Sequence, residues 1–144
     1  MNRILILNTK GGCGKTTVAT NLASYFACQG ITTALLDYDP QGSSMRWSKQ
    51  RPKDLPSVYA VHAGEKQTGT MTRSWYLRVP PETQQVIIDA PAGVGSAQLQ
   101  EYLRNVNSII IPVMPSSIDV HAMARFIEEL LLKGKVKQRG IKVG

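Results

Sequence analysis

Cysteine is scarce in this chain of 144 residues: only Cys13 and Cys28 occur, fifteen apart and without partnering histidines. That spacing offers neither a zinc site nor a disulfide framework. Cys28 reads as a small buried hydrophobe on a helix. Cys13 reads as a loop residue whose backbone matters more than its thiol. Long apolar runs are missing as well, and none approaches the roughly 20 residues a membrane-spanning helix needs. The first run, Ile4-Leu5-Ile6-Leu7, leads straight into glycines, unlike a secretory leader. The resulting expectation is a cytoplasmic protein with no membrane segment.

What remains is an ordinary globular composition, 42% hydrophobic and 19% charged. The length suits one domain over 1–144, large enough to bury roughly 68–70% of its unfolded surface. The net charge of +7 is unevenly placed. Five cations (Lys133, Lys135, Lys137, Arg139, Lys142) crowd the last stretch, and Arg46, Lys49, Arg51 and Lys53 form a second group. Such groups either hold nucleic-acid phosphates or are solvated surface.

The most informative residues follow the first apolar run: Lys10-Gly11-Gly12-Cys13-Gly14-Lys15-Thr16-Thr17. Strand, glycine turn, lysine and hydroxyl in that order build a phosphate cradle. Glycines let backbone N–H groups converge on an anion, and the helix that opens next adds its positive dipole end. Lys15 reaches β- and γ-phosphates, and the Thr16 hydroxyl completes a Mg²⁺ shell of water and phosphate oxygen. A nucleoside triphosphate is the expected ligand. The usual pattern has glycine where Thr9 stands, and a second lysine, Lys10, precedes Lys15 by five.

Along the chain, strands are expected at 3–8, 31–37, 57–61 (nearer an edge), 86–89 and 108–114. Helices are expected at 16–27, 42–49, 96–104 and 118–132. The first helix should bury Val18, Leu22, Ala23 and Phe26; the last, Met123, Phe126, Ile127, Leu130 and Leu131. Asp119 reads as an acidic first-turn residue. Segment 65–81 is least readable, with Trp75, Tyr76 and Leu77 as core. Trp47 reads as a core or interface anchor, and His62 and His121 as surface or packing residues. Alternating strands and helices predict an α/β fold with a mainly parallel, doubly wound sheet flanked by helices. Residues 141–144 look like the start of a further strand. The fold therefore reads as truncated at its C-terminal end.

In open parallel sheets ligands sit at the carboxyl ends of strands. Two strands end there in carboxylates: Leu36-Asp37-Tyr38-Asp39-Pro40-Gln41-Gly42 and Ile88-Asp89-Ala90-Pro91-Ala92-Gly93. Such groups hold Mg²⁺ through its waters or orient a water beside the γ-phosphate. Asp89 is read as a metal residue. Asp37 and Asp39 lie two apart on one side of an extended segment; either both face the metal or one is structural. The assignment taken is Asp39 to water positioning and Asp37 to the outer metal shell. Gly93, Gly95 and Gly42 supply turns suited to loops that change shape with the γ-phosphate.

KGGCGKTT, DYDPQGSS and VIIDAPAG, in that order, resemble the deviant Walker A, switch I and Walker B/switch II segments of the ParA/MinD class of P-loop ATPases. DPQGS with Met45-Arg46-Trp47-Ser48-Lys49 resembles small ParF-like partition proteins. The resemblance implies ATP and Mg²⁺ as cofactors, slow ATPase activity and an ATP-sandwich homodimer in which Lys10 reaches the other subunit's phosphates. In it Gly11 to Thr17 bind their own subunit's nucleotide. Lys10, Lys15 and Asp39 take the catalytic roles; Thr16, Asp37 and Asp89 serve the metal. It further implies non-specific binding to nucleoid DNA, positioning of plasmid, chromosome or protein cargo, and stimulation by a centromere-binding or cargo adaptor protein. The family's adenine-contacting segment and many DNA-contacting residues would lie beyond Gly144. A MinD-like membrane-associated regulator is the alternative, marked by a C-terminal amphipathic helix. A metallocluster enzyme on the same scaffold would want cysteines after Asp89, and positions 90–132 contain none.

Overall fold

The computed structural model describes residues 1–64, 79–115, 117–132 and 135–144. Its elements run β1 (Asn2–Ile6), α1 (Lys15–Cys28), β2 (Thr33–Asp37), α2 (Ser43–Gln50), β3 (Tyr59–His62), β4 (Gln85–Asp89), α3 (Ser96–Tyr102), a 3₁₀ turn (Leu103–Asn105), β5 (Ser108–Ile110), α4 (Ser117–Leu132) and β6 (Lys142–Val143). The six strands form one sheet in the order β3-β2-β4-β1-β5-β6, with every pairing parallel. The α/β reading of the sequence is what the chain adopts.

Strand alternation divides the core into two layers. Ile4, Ile6, Leu35 and Ile87 face α1, packing on Ala19 and Ala23 with Val18, Leu22, Phe26 and Trp47 around them. Their neighbours Leu5, Leu7, Ala34, Leu36, Val86 and Ile88 face the other way, onto Leu99, Tyr102, Leu103, Phe126 and Leu130. Alanines at four-residue steps let α1 lie close on the sheet, so the chain entering it is held at a fixed height above β1 and β4.

Several expectations need correction. Cys28 is exposed, not buried. The buried stripe of α1 runs through Ala19, Ala23 and Ala27, and the next residue is turned about 100° off it. The strand expected over 108–114 ends at Ile110: Pro112 and Pro115 have no N–H to donate to a ladder, and Val113 and Met114 are exposed. On α4 the apolar face comprises Met123, Phe126, Ile127 and Leu130, while Leu131 is exposed. Trp75, Tyr76, Leu77 and Lys133 fall outside the described residues, as does the side chain of Asp119. The third strand does lie at the sheet edge, as β3.

Ile87 sits on β4 with no solvent exposure, between two parallel neighbours. Ile87→Ala should lower unfolding free energy by about 2–5 kcal/mol, read from urea denaturation followed by circular dichroism. A loss well below that range would show that α1 closes over the gap.

Candidate functional site: a phosphate cradle beside two buried carboxylates

The register decides the site. Asp37 of β2 pairs with Asp89 of β4, and Asp89 pairs with Ile6 of β1. The two carboxylates and the start of the glycine loop therefore leave the sheet at one level, at its carboxyl edge.

From β1 the chain turns through Asn8, whose side-chain Oδ1 accepts the Lys10 N–H at 3.1 Å while its Nδ2 donates to the Pro112 carbonyl at 2.7 Å. Gly12 and Gly14 adopt φ of +71° and +88°, a region that a side chain makes costly. Gly14 is also the cap of α1, so the first N–H groups of a fourteen-residue helix open toward the loop. Lys15 is buried; its ammonium donates to the Lys10 carbonyl at 2.8 Å and lies 3.8 Å from Cys13 Sγ. An ammonium carries three donors, so this grip sets the lysine across the loop without saturating it. The Cys13 thiol, also buried, turns inward onto the same carbonyl at 3.3 Å.

A cavity of about 370 Å³ lies over this loop. Gly11, Gly12, Gly14, Lys15, Thr16 and Thr17 line it together with Asp39, Gln41 and Ser43 of the segment after β2, and with Ala92, which lies beside Gly11. Asp39 is half-buried, and its carboxylate accepts the Gln41 N–H at 2.9 Å, which fixes the bend of the Asp39–Gly42 turn. Lys10 is exposed and lines a different hollow, with Asn8, Thr9, Val113, Met114 and Met123.

Beneath the cavity Asp89 is almost wholly buried. Its Oδ2 accepts the Thr16 hydroxyl at 2.9 Å and also the Ser44 hydroxyl. Its Oδ1 is buried with no hydrogen-bond partner. An unmet carboxylate oxygen beside a hydroxyl and below a nest of N–H groups fits a divalent cation and its waters bound together with a polyphosphate. Among the described residues no three His, Cys, Asp or Glu stand together as a metal cage, so ligand oxygens would have to complete the coordination.

Asp37 has a different setting. Its two oxygens accept the N–H groups of Asp39 (3.0 Å) and Met45 (2.9 Å), and its carbonyl receives those of Ala63 and Gly64. It holds the segment between β2 and α2 in place. Any outer-shell metal contact would use the lone pairs these bonds leave. Burial raises the pKa of both carboxyls above the ordinary 3.8. Backbone donors and His62 partly offset this at Asp37, as do the Ser44 and Thr16 hydroxyls at Asp89.

Sequence reasoning missed three residues of this region. Ser44 is fully buried against Asp89, and only its place in the first turn of α2 hinted at it. His62, read as surface or packing, puts Nε2 at 2.9 Å from the Asp39 carbonyl. Arg46, of the group read as either phosphate-holding or solvated surface, is exposed and donates to the Gln41 carbonyl and the Ser43 hydroxyl. Arg51 of the same group is half-buried, bonded to Ser24 and Pro56 over the Trp47 ring.

A six-stranded parallel sheet whose first strand delivers a glycine loop to a helix, with strand-end carboxylates beside it, defines a P-loop NTPase fold. The chain belongs to the CobQ/CobB/MinD/ParA nucleotide binding domain family, which it matches over residues 4–143. Among its relatives, the maintenance of carboxysome distribution protein A of Halothiobacillus neapolitanus is 31% identical over 129 residues, 87% of this chain and 56% of that protein. The chromosome-partitioning ATPase Soj of Thermus thermophilus is 52% identical over 69 residues, 48% of this chain and 27% of that protein. The chain thus spans under two thirds of the length of these relatives. Two solved structures share the fold. The pNOB8 ParA bound to nonspecific DNA has a TM-score of 0.66 at 20% identity, over 92% of this chain and 60% of that one. The cobyrinic acid a,c-diamide synthase of Mycobacterium smegmatis, with bound ATP analogue and magnesium, scores 0.68 at 18% identity over 99% and 72%.

The raised carboxyl pKa values have a definite sign. Between 3.8 and its raised folded value, each group binds more proton when folded than when unfolded. Stability therefore falls as pH rises through that window. Asp89→Asn should raise the urea midpoint of the ligand-free protein at neutral pH and flatten this acid-side dependence. A lower midpoint at pH 7 would mean that the buried charge is not what burdens the fold.

Proposed function

We propose that this chain binds and slowly hydrolyses ATP with Mg²⁺, dimerises in the ATP state, and positions cargo on DNA in the manner of partition ATPases. The observation that carries the reading is the cavity wall itself: Gly11, Gly12, Gly14, Lys15, Thr16 and Thr17 share one cavity of about 370 Å³ with Asp39, and the Thr16 hydroxyl of that wall is bonded to the buried Asp89. The family supports the class of activity. Relatives named for carboxysome distribution and chromosome partitioning support the positioning role.

In this reading the N–H groups of Gly11 to Thr17 take the phosphates, Cys13 through its backbone alone. Lys15 turns one ammonium hydrogen from the loop carbonyl region to the β- and γ-phosphates. Thr16, whose hydroxyl hydrogen is on Asp89, would hold the cation through an oxygen lone pair, and Asp89 Oδ1, which has no protein partner, would hold it by accepting from its waters. Magnesium, when bound, neutralises charge on the β- and γ-oxygens. Asp39 orients the attacking water toward the γ-phosphorus; the water oxygen bonds to that phosphorus as the bond to the β–γ bridging oxygen breaks, the water's proton ends on the inorganic phosphate, and ADP and phosphate leave. Asp37 holds the segment that carries Asp39, with an outer-shell metal contact as its second duty.

Lys10, placed outside the wall of its own cavity, is assigned to the nucleotide of a second copy. A cation supplied in trans would tie hydrolysis to dimerisation. Lys135, Lys137, Arg139 and Lys142 are exposed and suit sequence-independent phosphate contacts. An adaptor protein that stimulates turnover, and a cytoplasmic, nucleoid-associated setting, complete the proposal.

Sedimentation velocity with ATP, ADP or no nucleotide, with and without duplex DNA, tests it. A dimer is expected with ATP alone, and salt-sensitive DNA binding by that dimer. Lys15→Ala should abolish nucleotide binding. Lys10→Ala should bind nucleotide normally yet stay monomeric with ATP, whereas Asp39→Ala should form the ATP dimer and lose phosphate release. Normal ATP dimerisation by Lys10→Ala would remove the trans role.

A further inference from the structure

Two hydroxyls from different helices converge on one oxygen of Asp89. Thr16 reaches Oδ2 from the first turn of α1 and Ser44 from the first turn of α2. We propose that Ser44 is a positioning residue for the metal seat, fixing the plane of the Asp89 carboxylate so that Oδ1 faces the cation. The proposal rests on the Mg²⁺-nucleotide reading above and assigns a job within that same site.

The argument is geometric. The carboxylate turns about its Cβ–Cγ bond, a motion that carries Oδ2 with it, and a single rotatable hydroxyl can follow part of that swing. A second hydroxyl on the same oxygen from another helix narrows the swing, since a turn that follows one donor draws Oδ2 away from the other. Oδ1, which has no protein partner, is then held ready for the cation or its water. Ser44 is fully buried, and bulk water does not share its bond to Asp89.

Ser44 also carries a connection that Thr16 lacks. The next residue, Met45, donates its N–H to Asp37 Oδ2 at 2.9 Å, and the Asp39 N–H lies on the other Asp37 oxygen. One short stretch thus holds the water-orienting carboxylate in the cavity wall and, five residues later, the hydroxyl that sets the metal carboxylate. Metal seating and the placement of Asp39 become one mechanical unit.

The test measures a fluorescent ADP analogue bound to the full chain, first in EDTA and then along a Mg²⁺ titration. Ser44→Ala is expected to match the unsubstituted protein in EDTA and to need about tenfold more Mg²⁺ for half-maximal tightening, the scale of loss seen when partners of metal-binding groups are removed. Ser44→Cys, similar in size with a weaker donor, should shift the midpoint less. Free Mn²⁺ followed by electron paramagnetic resonance should report the same order of affinities, and thermal unfolding identifies any variant that has not folded. Equal Mg²⁺ midpoints across the folded proteins would overturn the proposal, as would a loss of affinity equal with and without metal. Failure of the unsubstituted protein to bind nucleotide would instead overturn the functional reading beneath it.

Discussion

Asp89 is a carboxylate taken out of water at the end of a central strand, and three distant parts of the chain arrange themselves around it. Burial disfavours its charge, so the site has to supply compensation: hydroxyl donors from Thr16 and Ser44 on one oxygen, with the other left for a ligand. The two hydroxyls sit at the N-terminal ends of α1 and α2. The orientation of both helices relative to β4 is thereby keyed to a single group. Remove both oxygens of that side chain and the hydroxyls of Thr16 and Ser44 lose their shared acceptor.

Asp37 makes a second, parallel use of the same idea. It too is buried at a strand end, one strand away and in register, but its oxygens are occupied by backbone N–H groups. Its work is to shape the turn that presents Asp39 and starts α2. Gly64 tightens the same turn from outside. A Cβ there would stand 2.7 Å from the Tyr38 carbonyl oxygen, so β3 can end against that segment only with glycine. His62 and Arg46 brace its remaining carbonyls. The wall that the segment after β2 adds to the cavity is therefore a supported structure, built mostly by residues that never enter the cavity.

The sequence announced the phosphate loop because its chemistry is local. Glycines at 12 and 14 are required by positive φ, and the lysine and hydroxyl follow at fixed steps on the opening helix. The strands expected at 3–8, 31–37 and 86–89, found at Asn2–Ile6, Thr33–Asp37 and Gln85–Asp89, were equally plain, being short apolar runs that end in function. Three kinds of residue resisted this reading. Ser44 looked like any serine of the helix expected at 42–49, since its partner is 45 residues away. Arg51 was grouped with surface charge, yet it is half-buried and bonded to Ser24 and Pro56, because nothing local says that a guanidinium will fold back onto a carbonyl and a hydroxyl. Ile111 to Met114 read as strand from their apolar character, yet Pro112 removes the donor that a ladder needs.

By itself, then, the order of residues determined the layer architecture, the anion-binding loop and which strand ends would carry carboxylates, because each of these follows from periodicity, backbone stereochemistry or adjacent atoms. Only the assembled sheet decided how the carboxylates differ in work. Parallel register brought Asp37 and Asp89 to one level, and the neighbours met there made one a brace for backbone and left the other with an open oxygen. Such a division depends on hydrogen-bond partners dozens of residues away, and distance along a chain carries no record of them.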